Sequence, residues 1–264
     1  MDIRWKWTLC VTYIGLLSAS PLSQTTGDTT SYLKQATISE TAGTVHVVAN
    51  SPRPLAQTLD ALQQKYGWVV DYEDPRFISK LDLVEVNDSG QLAHKPNRVS
   101  RLPGGGAFSV EFPASGVEEE KVLQLVVDSY NRSNNPGRFE LRKSKSGAVV
   151  VVGTEARDAR GQISRQRVLF DAPITLAPAQ RTVSNTLKLI CRVLSEHRGV
   201  AVSVGVSPRR LLDHTNAKVG GTNISARDLL LQALTATHRN FSWQLFYDPN
   251  SKGYFLNLHL IPPA

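Results

Sequence analysis

A chain of 264 residues with 41% hydrophobic and 20% charged side chains has the make-up of a soluble globular protein, which excludes wholesale disorder. Thirty Lys and Arg against 23 Asp and Glu leave a formal +7, compatible with an anionic membrane, polymer or nucleic acid but equally ordinary for an extracytoplasmic protein. Two cysteines, of which Cys10 lies in an N-terminal apolar run, leave Cys191 alone and exclude a disulfide scaffold.

Residues 1–23 read as a signal peptide: Arg4 and Lys6 precede an apolar run from Thr8 to Ala19, and small residues follow up to Ser23. The run is shorter than the roughly 20 residues of a membrane span, so no span is expected in the mature chain; a retained anchor and a buried first helix are the alternatives. Residues 24–43 read as a flexible polar tail.

Thr44–Val48 alternates as a strand, and Ser51-Pro52-Arg53-Pro54 opens a helix with Leu55, Leu59, Leu62 and Tyr66 on one face, ending at Gly67. Trp68–Tyr72 is a strand closed by Asp74-Pro75. Asp71, Glu73 and Asp74 read as part of that turn, with cation binding as the alternative. Residues 87–107, with Pro96, Pro103 and Gly104-Gly105-Gly106, read as a long mobile loop. Phe108–Phe112 is a strand. Ser115 and Glu118 have capping-box spacing ahead of a helix that buries Val122, Leu123, Val126, Val127 and Tyr130. Phe139–Lys143 and Ala148–Val152 form a hairpin, and residues 154–165 a linker.

Beyond the linker the order returns: a strand at Val168–Phe170, then a helix with Val183, Leu187, Ile190, Cys191 and Leu194 inward, ending at Gly199. Val200–Val204 is a strand, Ser225 caps a second helix, and Ser242–Tyr247 with Tyr254–Leu260 close in a hairpin. Tyr66-Gly67-Trp68 aligns with Arg198-Gly199-Val200, and Leu123-Gln124 with Leu231-Gln232. The expected fold is α+β: two tandem βαβ/αββ modules, at 44–153 and 166–261, with helices packed on small mixed sheets.

The second copy, through Phe170, Leu187, Gly199-Val200, Ser225-Ala226-Arg227-Asp228-Leu229-Leu230, Leu234 and Trp243–Leu260, resembles the short N-terminal module shared by secretins and TonB-dependent receptors. The first copy fits more loosely, through Pro54-Leu55, Leu59, Leu62, Gly67 and Tyr72. The resemblance implies a non-catalytic interaction or signalling module of the bacterial cell envelope. Neither a pore region nor a receptor plug accompanies it, so no family binding residue carries over.

Reaction chemistry is not visible. None of the six histidines pairs with His, Cys or carboxylate at a metal-like spacing, no G-x-S-x-G elbow occurs, and Cys191 has no adjacent base. No catalytic, cofactor-binding or metal-binding residue is expected. Strand alternation puts Trp243, Leu245 and Tyr247 with Leu256, Leu258 and Leu260 in the core, and turns Phe246, Phe255, Asn257 and His259 outward as a candidate contact surface. Lys95, Arg98 and Arg101 in the basic loop are a second candidate. The leading expectation is a periplasmic or secreted, non-enzymatic protein that docks on another envelope protein, with no nucleic-acid partner. The alternatives are an exported binding protein for a small ligand or anionic wall polymer, and a hydrolase assembled from distant residues.

Overall fold

The computed structural model describes residues 36–50, 52–87, 99–143 and 147–262. The expected leader, most of the polar tail, and Lys95 and Arg98 lie outside the described residues.

Order begins earlier than the sequence suggests, because β1 (Thr37–Thr41) pairs with β2 (Thr44–Ala49) around Ala42 and Gly43, both at positive φ as a two-residue hairpin requires. Helix α1 (Pro54–Tyr66) follows and ends at Gly67, whose φ of 70° forms the left-handed cap. Then come β3 (Val70–Glu73), β4 (Leu83–Asn87), β5 (Val99–Pro103), β6 (Phe108–Pro113), α2 (Glu119–Arg132), β7 (Arg138–Lys143), β8 (Val149–Arg157) and β9 (Ile163–Arg165). The remainder is β10 (Pro173–Thr182), α3 (Val183–Arg198), β11 (Val202–Val204), α4 (Arg209–His214), β12 (Asn216–Ser225), α5 (Ala226–Thr235), β13 (Phe241–Asp248) and β14 (Gly253–Leu260). The class is mixed α+β, as read from the sequence.

The two halves share one topology. The segment β2-α1-β3-β6-α2-β7-β8 matches β10-α3-β11-β12-α5-β13-β14 pairing for pairing. Strands β2 and β6 are antiparallel like β10 and β12, β3 and β8 parallel like β11 and β14, and β7 and β8 antiparallel like β13 and β14. Local detail repeats too. Gly67 and Gly199 both cap a helix in the left-handed region. Seven residues before each following strand begins, a helix side chain accepts that strand's first N–H: Gln63 Oε1 from Val70 at 3.4 Å, Ser195 Oγ from Val202 at 2.8 Å. The second-helix alignment needs a one-residue correction. Burial superposes Val122, Leu123, Val126 and Val127 on Leu229, Leu230, Ala233 and Leu234, so Leu123 matches Leu230, not Leu231.

What the halves do not have is a linker. Residues 154–157 continue β8, with Thr154 and Ala156 inward and Glu155 and Arg157 half-exposed, and 163–165 form β9 beside them. This alternation is written in polar residues, so hydrophobicity alone hides it. The halves join directly: β13 pairs in parallel with β3, at Gln244 to Tyr72 and Leu245 to Glu73, so the strand order β11-β14-β13-β3-β8-β7 is continuous. Asp60 of α1 takes a hydrogen bond from Gln244, and Tyr130 of α2 meets Phe139 beside Tyr72, which puts α1 and α2 on the Tyr72–Gln244 face. Arg227 of α5 reaches Glu73 and lies over Trp243, which puts α5 on the opposite face. One copy is therefore turned over relative to the other, and a single apolar cluster from Val45 to Leu258 runs through both.

Four further expectations differ. Val168–Phe170 is a buried bend rather than a strand, and the first strand of the second copy is β10. The N-cap of α2 is Glu118, with no side-chain cap bond from Ser115. Part of the presumed mobile loop is β5, paired with β4, and Gly104–Gly106 is tied down by Gly104 N–H to Asp82 O and Gly106 N–H to Asn135 Oδ1, both 2.7 Å. Leu260 is 45% exposed rather than core.

Gly153 is where β8 passes closest to another backbone, since an added Cβ would lie 2.4 Å from Pro75 N. Gly153→Ala is expected to cost about 1–3 kcal/mol in urea unfolding, because backbone must move. Alanine at Gly147, which meets nothing within 4 Å, supplies the comparison for its positive φ alone.

Candidate functional site

The residues first read as a turn after Trp68–Tyr72 lie instead in and beside β3, at the seam between the halves. Asp71, Glu73 and Asp74 are each no more than 2% exposed. The β3–β13 ladder is short, and carboxylates extend it: Asp71 Oδ1 accepts from Trp243 N–H and Asp74 Oδ2 from Tyr247 N–H, both at 3.0 Å. Between them Asp74 N–H donates to Leu245 O at 2.9 Å. On the other side Glu73 accepts the N–H groups of Leu169 and Phe170. This is why the bend through Val168–Phe170 stays off the ladder.

Two arginines close the seam. Arg53 donates through Nε to Asp74 Oδ2 at 2.9 Å and through Nη2 to Tyr247 O at 2.6 Å, and stands 4.8 Å over the Phe246 ring. Arg227 reaches Glu73 at 3.4 Å and Asp171 at 2.8 Å. Burial outweighs these partners and pushes the Asp71 carboxyl up to about 8 and those of Glu73 and Asp60 to about 7, with Asp74 raised as well. Each carboxyl in the sheet faces main-chain donors, and none opens on a cleft. The cluster binds the two copies together rather than forming a turn.

The predicted outward residues lie on the same face of the β13–β14 hairpin. Phe246 pairs across with Phe255, Gln244 with Asn257, and Ser242 with His259. The structure divides them by depth. Phe246 is half-buried between Arg53 and Tyr72, whereas Phe255, farther from α1, is 40% exposed. Asn257 Oδ1 accepts from Val206 N–H at 2.9 Å, which holds the β11–α4 loop against β14 with Val206 also exposed. His259 is half-buried, and loss of water lowers its pKa and keeps the ring neutral. Arg101 is elsewhere: its backbone N–H and O both bond the Asn250 side chain at 2.9 Å, which clips β5 to the β13–β14 turn. Sequence reasoning missed Val206 because only the fold brings it beside Asn257.

Two further concavities are open hollows, one at Trp68, Glu119, Glu120 and Lys143 and one along α4. No group of three His, Cys, Asp or Glu among the described residues could hold a metal. Cys191 is buried on α3, where desolvation pushes its thiol up to about 12. It is expected to resist alkylation in native buffer at pH 8 and to react fully in denaturant; rapid native labelling would contradict the packing. Among the described residues no helix is long and apolar enough to cross a membrane. No family model, curated protein or solved structure matches the chain.

Proposed function

We propose that the protein is an exported, non-catalytic interaction module of the cell envelope, built as a fused pair of units similar to the short N-terminal module of secretins and TonB-dependent receptors. It works by docking on another envelope protein. The observation that carries this reading is the uncovered end of the β13–β14 face, where Phe255 stands in solvent beside Phe246 while the matching inner face is packed. Exposed apolar sheet surface of this kind is a protein-contact signature. Support also comes from the duplicated topology and from the tied state of the buried carboxyls, which leaves them unsuited to acid–base work.

The test places a photo-crosslinking residue at Asn257 and compares adducts in native envelope fractions with and without Phe255→Glu. A discrete adduct that disappears in the variant supports docking through this face. An unchanged adduct pattern, or none with the folded protein, removes it.

A further inference from the structure

The positive charge is concentrated in one half. Residues 166–264 hold eleven Lys and Arg against five Asp and Glu, a net +6 of the chain's +7. Pairing differs as sharply. In the first half Arg53, Lys65, Arg101, Lys121, Arg142, Lys143 and Arg157 each meet a carboxylate. Among the described residues of the second half only Arg227 does, and it serves the seam.

Of the ten others, four exposed ones lie on α3 and α4. Lys188 and Arg192 are exposed one turn apart on α3, and α4, which packs on α3, begins with exposed Arg209 and Arg210. No carboxylate lies within ion-pair distance of these four among the described residues, although Glu196 is exposed one turn beyond Arg192 on α3 and Asp213 is exposed on α4. Aliphatic groups are interspersed. Val206 is 43% exposed just before α4, and the hollow along α4 is floored by Pro208 and Leu211 between the arginines.

We propose that this α3–α4 surface docks on an anionic lipid bilayer, with the four cations against headgroups and Val206 and Leu211 at the acyl boundary. Cations that lack protein partners and surround aliphatic side chains suit a surface that offers negative charge and hydrocarbon together. A single-stranded polynucleotide would call for exposed rings among the cations, and neither α3 nor α4 carries a Phe, Tyr or Trp. The two surfaces meet at Val206, but this inference rests on the cations of α3 and α4 and is independent of Phe255.

Sedimentation of the full chain with phosphatidylcholine vesicles, with and without phosphatidylglycerol, tests it. At about 1 kcal/mol per cation near an anionic surface, each charge is worth roughly five-fold in partitioning. Lys188→Glu/Arg192→Glu/Arg209→Glu/Arg210→Glu is expected to lower partitioning onto anionic vesicles at least about a hundred-fold, with little change on neutral ones. The control is Arg76→Glu/Lys80→Glu/Arg132→Glu/Arg160→Glu, which reverses four exposed first-half cations with no carboxylate partner. It should retain most of the binding. Equal loss in both variants would assign the effect to net charge and overturn the proposal, as would no loss in either. Loss of binding to a single-stranded oligonucleotide with vesicle binding intact would also overturn it, in favour of nucleic acid. Circular dichroism checks the fold, and a Gln series replaces the Glu series if charge reversal unfolds the chain.

Discussion

Arg53→Ala is expected to lower the unfolding free energy by about 3–5 kcal/mol at pH 8, the cost of leaving a buried carboxylate without its cation. The Asp74 side chain has no exposed surface and takes Arg53 Nε, Tyr72 Oη–H and Tyr247 N–H. Alanine removes the only cation of that set, together with the bond to Tyr247 O and the contact over Phe246. Urea denaturation gives the number, and the pH dependence tests the cause. Without the guanidinium, burial drives the Asp74 carboxyl further up, so at pH 5 it takes a proton and the penalty shrinks. Arg53→Ala/Asp74→Asn should likewise recover part of the loss, because no charge then remains to strand. A penalty under about 1 kcal/mol, or one equal at both pH values, would mean that the seam does not depend on this pair.

That dependence explains what the sequence conceals. Helices α1, α2, α3 and α5 are legible because their apolar spacing is local and glycines or caps bound them, as Gly67, Gly199 and Ser225 do. Strands β4, β5, β9 and β12 are not, since they lie at edges or in two-stranded pairs, and β12 buries only Ala217 and Val219. Val168-Leu169-Phe170 has a strand's composition but a bend's conformation, because Glu73 captures its N–H groups from 96 residues away. Carboxylates inside a strand break the local rule, and Asp-Pro next to them reads as a turn; only the partner strand 172 residues later makes sense of Asp71. The contact surface was readable as alternation on β13 and β14, but which of its members stays exposed depends on how far α1 extends over the joined sheet.

The second half carries no equivalent of the seam at its matching strand. The strand equivalent to β3 in the second half is β11, and the positions of Asp71 and Asp74 there are held by Ser203 and Val206, which offer no carboxylate to a further strand. At the other end of the sheet β7 is stopped by a side chain, with Asn131 Oδ1 accepting Phe139 N–H at 2.9 Å and Asn131 Nδ2 donating to Phe139 O at 2.7 Å. Side chains that satisfy an edge internally remove the template for another chain.

Acidity should strengthen the joint. The folded-state pKa values of Asp60, Asp71 and Glu73 are raised from 3.8, 3.8 and 4.5 to about 7, 8 and 7 by burial. A raised folded value means that the native state holds more protons than the unfolded chain between about pH 4 and pH 8, so stability is full below that window and falls as pH rises through it. The thermal midpoint is therefore expected to fall by about 10 °C between pH 5 and pH 9, as a loss of roughly 3–5 kcal/mol does for a domain of this size. Asp71→Asn isolates the origin. An amide oxygen can still accept Trp243 N–H but cannot ionise, so the variant should lie within about 1 kcal/mol of wild type at pH 5 and exceed it at pH 9. Two curves that run parallel from pH 5 to pH 9 would show that Asp71 keeps one protonation state throughout, and would remove burial as the force that sets its charge.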